Sequence, residues 1–566
     1  MPAGRFILFL FLVAVLAACD LQAQNTNIPL NGYGDRLLRR YAILDTSLDL
    51  HTSMRPYGRK DISSWMQKNY GKPTNTLESY DSRDVFNTFW LRDDASEFLE
   101  GFQTGRNKPL LGIFFKESAN FFQTEGDHYF VNLNPVIYNS FGGTSDSGKL
   151  VFENTRGLEV RAGIDDRVGF YVFATDNQAT YPGYVTDAAN LNVQKVVPSL
   201  GWSKPFKAQG FDFPVSRGHM DVQLFEHLSL QVGQDKMFVG DGVRSLVWSD
   251  NAREPFYVRL QTQFWRIRYQ ANFLSLINMN QPKLPDNRWR KKYASLHQLN
   301  VEVLPNLDLG IFETVVFQRN DSLGYPTGFD LNYANPLIFY RSVEWGLGSP
   351  DNVLLGLLWK WTFLQQYAFY GQFVLDELRF FDLTKATGWW GNKYALQTGL
   401  QYINAFGLDF LDLQYEMNLV RPYMYSYSND NGSSYTHYAQ AIAHPLGANF
   451  AEHLFTVNYQ PLAQWNLSNV FFTAVSGADS AGMNYGADIF LNNDSHVQDY
   501  GNDLLQGFRT TTLYNETTLS WQFWHNTFID ARVVYRSSTG TQPIKDQEWF
   551  FSLGVRMNAV IPTFRF

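Results

Sequence analysis

A chain of 566 residues carries 47 Phe, 31 Tyr and 15 Trp, yet only 18% of its residues are charged, below the quarter usual in soluble domains. Its mean hydropathy is −0.27, and past the N-terminus it has no uninterrupted apolar run of about 18 residues, which excludes helical membrane spans. A formal charge of −8 and a single cysteine exclude a nucleic-acid footprint and an internal disulfide.

In chain order, Arg5 followed by the apolar run Phe6 to Ala18 reads as an export signal over residues 1–23. Two cleavage positions fit: Leu16 to Cys19 has the small residues and cysteine of a lipobox, and Leu21 to Gln24 suits cleavage after Ala23. Residues 24–111 carry helical spacing in "RKDISSWMQKNY" and "DSRDVFNTFWLRDDASEFLEGF". Asp61 and Asp81 are the expected N-caps, and Phe86, Phe89, Trp90 and Phe98 share a face. The expectation is a small helical, periplasmic element packed on the main domain; a plug for one barrel mouth is the sharper alternative.

From 112 to 566 the period becomes two. Leu158, Val160, Ala162 and Ile164 alternate with Glu159, Arg161 and Gly163; Asp165-Asp166-Arg167 turn the chain, and Val168, Phe170, Val172 and Ala174 resume the face. The same design recurs around Pro305-Asn306, and again from Leu355, Leu357, Trp359 and Trp361 to Phe369, Phe373 and Leu375. Tight turns alternate with long polar loops such as Arg421 to His453, and apolar faces keep large aromatics. The chain ends on "MNAVIPTFRF", where Met557, Ala559 and Ile561 alternate before Phe566, the expected aromatic export address of a barrel strand. The predicted fold class is all-β, an outer-membrane antiparallel β-barrel. About 450 residues at roughly 9–11 per spanning strand, plus loops, allow about 16 to 20 strands.

Of the chemical signals, Gly240-Asp241-Gly242 lacks the Lys-Ser/Thr pair and helix of a phosphate loop. Asp235, Asp241 and Asp250 lack calcium-loop spacing. Arg244, Asp250, Asn251 and Arg253 are expected to form a polar network in the barrel mouth. His437, His444 and His453, with Glu452, are too irregularly spaced for zinc and read as loop-fixing residues. No serine elbow, carboxylate pair or metallohydrolase motif stands out, so neither an enzyme nor a cofactor or metal is expected. The stretch "RPYMYSYSNDNGSSYTHY" offers flat aromatic rings for sugar C–H faces beside amides and carboxylates for hydroxyls. The candidate carbohydrate contacts are Arg253, Arg421, Tyr423, Tyr425, Tyr427, Asn429, Asp430, Tyr435 and Tyr438.

"GQDKMFVGDGVRSLVWSDNA", "NYANPLIFYRSVEWGLGSPDNVLLG" and "RPYMYSYSNDNGSSYTHYAQAIAHPLGANFAEH" together resemble the capsule-assembly Wzi family, specifically its gliding-motility RemB-like branch, from about Phe130 to the C-terminus. "FVGDG" stands where Wzi-type sequences have Trp-Gly-Pro, as in that branch. The resemblance implies an 18-stranded outer-membrane barrel with a helical bundle near its periplasmic end. It also implies a lectin-like function: binding or organising surface polysaccharide through extracellular loops, without catalysis. Gly240, Gly242, Ser245, Leu246, Ser249, Asn251 and Ala252 fall on the hallmark stretch. Asp330, Asn335, Arg341 and Glu344 are expected to hold loops and lumen together. The expected partners are surface polysaccharide and outer-membrane lipid. The alternatives are a gliding, adhesion or secretion accessory acting through protein partners, or a passive channel if the lumen is open.

Overall fold

Two-residue alternation persists because each strand turns one face into the barrel and the other out of it. In the computed structural model, eighteen antiparallel strands pair in sequence order and close a barrel. They are β1 Tyr129–Thr144, β2 Leu150–Ile164, β3 Val168–Thr180, β4 Gly210–Phe225, β5 Leu228–Gln234, β6 Phe256–Phe264, β7 Ile267–Asn278, β8 Arg290–Leu304 and β9 Leu307–Phe317. The circuit continues through β10 Asn352–Phe363, β11 Tyr367–Glu377, β12 Lys393–Tyr402, β13 Leu411–Val420, β14 Phe450–Leu462, β15 Trp465–Ala478, β16 Phe508–Trp524, β17 Thr527–Thr539 and β18 Gln547–Met557. β18 pairs with β1, Met557 opposite Ile137. The structure describes residues 25–70, 81–99, 110–145, 150–165, 167–191, 195–207, 209–336, 339–428, 432–479, 482–540 and 547–566. The expected export signal with Cys19, and Asn429 and Asp430, lie outside the described residues.

The breaks between Ile164 and Val168, Leu304 and Leu307, and Phe363 and Tyr367 fall where the phase of the sequence placed them. Trp265 makes another, with φ +53°. All such turns gather at one end, and the long connections at the other. Outward positions such as Leu158, Leu309, Ile311 and Leu357 are exposed, whereas inward Glu159 and Arg161 are buried. Closure leaves no strand edge, so every backbone pair of the wall is satisfied within it.

Three helices, α1 Tyr33–Leu44, α2 Arg59–Tyr70 and α3 Ser82–Asp94, share a core of Leu37, Leu38, Trp65, Trp90 and Leu91 and occupy the short-turn end; α4 Gly183–Leu191 lies in the β3–β4 connection. Arg40 bonds Asp412, and reaches Asn404 at 2.6 Å. Asn87 bonds Gln460 at 2.8 Å, and the Trp90 ring stacks on His525 at 5.0 Å. Arg59 pairs with Asp94 at 3.0 Å; burial would raise the Asp94 carboxyl, but the guanidinium pulls it well below the usual range. Beyond α1 the chain climbs into the lumen, where Met54–Arg55 pairs with Phe238–Val239.

Three expectations are corrected. Asp81 caps α3, accepting from the Arg83 amide at 2.8 Å, but Asp61 sits inside the first turn of α2 and pairs with Arg268 at 3.3 Å. The buried face of α3 is Asn87, Thr88, Trp90, Leu91 and Asp94, not the Phe86–Phe89 stripe, because that face must hydrogen-bond barrel turns. Phe566 is not the end of a strand. β18 stops at Met557, Asn558 turns the chain at φ +52°, and Pro562, lacking an N–H, cannot extend a ladder. The tail folds back into the lumen, where Phe564 packs on Tyr181 at 4.7 Å and Arg565 pairs with Glu516 at 2.8 Å.

Candidate functional site

The hallmark stretch is the loop between β5 and β6, and it descends into the barrel. Gly240 has φ +112°, and a Cβ there would collide with the Gln372 amide; its N–H donates to Ser53 O at 2.8 Å. A Cβ on Gly242 would lie 2.5 Å from a Glu416 carboxylate oxygen. That carboxylate accepts from the amides of Val243 and Arg244 at 2.8 and 3.1 Å. Gln372 accepts from the Leu246 amide and donates to Val239 O, both at 2.8 Å. Ser245 Oγ donates to Val239 O at 2.6 Å and accepts from the Val247 and Trp248 amides. Inward wall residues therefore substitute for the partners that a buried loop would otherwise lack.

Arg244 clamps this plug. It is bonded to Glu452 at 2.8 Å, and Glu452 also meets His444 Nε2 at 2.9 Å. Burial lowers the pKa of His444. Around them Leu246, Val247 and Trp248 pack against wall residues Leu296, Phe312 and Leu358, and against Tyr425, Tyr435 and Ile442 of the 421–449 loop. Ser249 Oγ donates to Ile442 O at 3.0 Å and Asn251 Nδ2 to Ala441 O at 2.9 Å, so the two long loops are laced together.

The three aspartates take separate partners. Asp241 accepts from the Thr52 hydroxyl, Asp235 from the Lys236 amide at 2.8 Å and Asp250 from Asn31 at 2.7 Å. The histidines also diverge. His437 accepts from the Ile277 amide at 2.9 Å, His444 meets Glu452, and His453 meets the Tyr415 hydroxyl at 2.8 Å.

The candidate sugar contacts divide by burial. Tyr423, Tyr425 and Tyr435 are fully buried. Tyr423 and Tyr425 donate to Asn484 O at 2.8 Å and Leu246 O at 2.7 Å, while Tyr435 stacks on Tyr425 at 5.8 Å. Arg421 is half-buried and reaches Asn502 O at 3.2 Å, tying the 479–507 loop to its own. Arg253 and Tyr438 come together, the guanidinium 5.1 Å from the ring centroid; both keep surface, as does Tyr427. Asn335, Arg341 and Glu344 lie in the 318–351 connection around a helix, α5 (Tyr340–Leu347). Arg341 pairs with Glu344 at 2.8 Å.

Sequence reasoning missed three loop-end features. Trp390 stacks on His496 at 4.3 Å, and Arg379 sits 3.8 Å over Trp389; the paired tryptophans of "TGWWGN" in a polar connection were the available signal. A groove of about 460 Å³ is lined by Thr186, Asp187, Asn190, Lys195 and Lys207 of the β3–β4 connection and by Glu548 of β18, more than 300 positions away. Below the loops a lumen cavity of about 330 Å³ is lined by Arg36, Lys236, Arg244, Asn458 and Asn466 among others.

These features define a class: a closed antiparallel barrel of the outer-membrane type, plugged by helices at one end and by its own loops at the other. No family model matches the sequence, and no curated protein matches it. Among solved structures the chain is similar to Escherichia coli Wzi, an outer membrane protein involved in group 1 capsule assembly and a carbohydrate-binding β-barrel. The TM-score is 0.54 at 12% identity, over 95% of this chain and 100% of that one. The Pseudomonas aeruginosa barrels OccK5 (OpdH) and OprD give TM-scores of 0.39 and 0.41, each at 11% identity over 75% of this chain, covering 97% and 93% of theirs. The likeness to Wzi is one of fold.

Proposed function

We propose that this protein spans the outer membrane and binds or organises surface polysaccharide at its loop end, as a platform rather than a channel or an enzyme. The short-turn end with α1–α3 faces the periplasm and the long loops face outward. The observation that carries the reading is the interlocked plug and loop layer. It occludes the lumen above its cavity and presents a rigid polar and aromatic surface, whose ordering cost is already met before a glycan arrives. The fold likeness to Wzi supports the same direction, and membership of the gliding-motility branch rests on the three sequence stretches quoted above. The proposed contacts are Arg253, Tyr438, Tyr427 and Arg421; Asn429 and Asp430, outside the described residues, are proposed from the sequence alone. Trp390 and the groove under Lys195 and Lys207 extend the surface. Individually weak sites gain from a repeating polymer, because neighbouring sugars stay at high effective concentration.

Retention of purified surface polysaccharide is measured on cells lacking the protein, carrying it, or carrying Arg253→Ala/Tyr438→Ala. Deleting the whole 421–438 stretch is avoided, since Tyr423, Tyr425 and Tyr435 are core. The reading expects retention to fall in the double variant with the barrel still inserted. Equal retention with and without the protein sinks it and leaves a motility or secretion accessory working through protein partners.

A further inference from the structure

The wall's outward face fails its own rule in one sector. Along β9, Leu309 and Ile311 point out and are exposed, but the next outward positions, Glu313, Val315 and Phe317, are buried. On β8 the outward series contains Tyr293, Ser295 and His297, also buried, and on β10 Val353 is buried above exposed Leu355 and Leu357. Inward neighbours Phe312, Val316 and Leu354 belong to the lumen core, so the parity is unambiguous. Glu313 lies six residues above Leu307, the foot of its strand. With a rise near 3.4 Å and a tilt near 40°, that is about 15 Å up, within an apolar band roughly 25 Å tall.

The 318–351 connection covers this sector from outside. Val315, Phe317, Tyr293 and Val353 form a separate core with Tyr333 and Tyr340. The Glu313 carboxylate accepts from the amides of Tyr340 and Arg341 at 2.6 and 2.9 Å, where α5 begins, and meets His297 at 3.2 Å. The His297 ring stacks on Tyr340 at 4.2 Å. Ser295 donates to Tyr333 O at 2.8 Å, and Tyr269 to Pro336 O. Arg319 holds the strap closed through Asp351, 2.7 Å at each nitrogen. The wall thus places polar groups where lipid would reject them, and the strap supplies partners for Glu313, Ser295 and Tyr269. Its exposed side carries Leu331, Phe339 and Trp345, at 79%, 67% and 79%, beside exposed Arg341 and Ser342; Arg341 is paired to Glu344 at 2.8 Å.

We infer that this strap is an in-plane membrane anchor, with α5 lying against the barrel and Leu331, Phe339 and Trp345 embedded in the acyl chains of the outer leaflet. The occupant is lipid because the strap interrupts a wall whose flanking outward residues, Ile311, Leu355 and Leu357, already form the apolar belt. The next loop along the wall carries α6 (Phe380–Thr384), with Phe380 and Phe381 also exposed. The inference rests on the membrane-spanning reading and not on the glycan.

The test uses the full chain with Cys19→Ser and one of Leu331→Cys, Trp345→Cys, Leu357→Cys or Asp494→Cys, labelled with bimane and reconstituted in phosphatidylcholine vesicles brominated along the acyl chains. The labels at 331 and 345 are expected to lose most of their fluorescence to brominated lipid, as at 357, and little to aqueous iodide; the label at 494 behaves oppositely. Iodide quenching at 345, or quenching there by neither agent, with 357 still lipid-quenched overturns the anchor alone. Loss of lipid quenching at 357 as well overturns the membrane reading, and the anchor falls with it.

Discussion

Replacing Arg244 by Met removes the clamp of the lumen plug while keeping most of the side-chain stem. The Arg244 and Glu452 side chains are 9% and 0% exposed and 2.8 Å apart. Truncating one partner leaves Glu452 buried with only His444 and Asn418, each at 2.9 Å. Breaking a buried pair in this way costs about 3–5 kcal/mol. Arg244 also lines the lumen cavity of about 330 Å³, so water can partly solvate the orphaned carboxylate and the lower end, about 3 kcal/mol, is the better figure. The barrel wall does not depend on this contact, so the cost falls on local opening of the plug. Amide exchange measured across 240–249 should accelerate on the order of 100-fold, at a tenfold change per 1.4 kcal/mol, while the wall amides keep their protection. Arg244→Met/Glu452→Gln should recover part of the loss, because the unpaired charge is gone. Unchanged exchange in the single variant, or strictly additive losses in the pair, would refute the clamp.

Gly240→Ala should destabilise the plug by about 1–3 kcal/mol, from strain at a positive φ and displacement of Gln372. Gly346→Ala, with open space around it, should leave the urea midpoint unchanged. His437 is held neutral by burial, with Lys292 and Arg253 adding to the effect, and titrates near 3 instead of 6.5. The unfolded loop binds that proton first, so stability is full above the ordinary value and falls between pH 6.5 and about 3. Near pH 5 this is about 2 kcal/mol of loop stability, from roughly 1.5 pH units below the unfolded pKa, read as faster amide exchange over 432–449. His437→Asn should flatten that dependence. The intact protein should carry no steady current in a planar bilayer; a stable porin-like conductance would show that the two plugs do not meet in the lumen.

The hairpins were legible because their signal is local. In Leu158 to Ala174 every side chain's direction follows from its neighbour, and the residue types report which solvent it meets. Asp81 before α3 was legible for the same reason, since a cap is satisfied within its own turn. The fate of the loops was not. "YMYSYSND" has the composition of an exposed loop, yet Tyr423 and Tyr425 are buried because their hydroxyls find carbonyls of other connections, 61 and 179 residues away. The sugar-contact set drawn from composition therefore mixed core residues with surface ones. His297 and Glu313 did leave a trace, two polar residues on a face that is otherwise apolar. Nothing local says that a connection returns down the outside to cover them.

The sequence by itself determined a wall: strand phase, turn positions and the two faces all follow from a period of two. Tertiary structure decided what fills and covers that wall. Gly240 and Gly242 are required by wall residues Gln372 and Glu416, more than 100 positions away. Phe566 reaches the lumen instead of ending a strand, and a connection covers β8 and β9 from outside. Those outcomes depend on which buried polar groups meet once the barrel closes, and closure brings together residues that no local pattern relates.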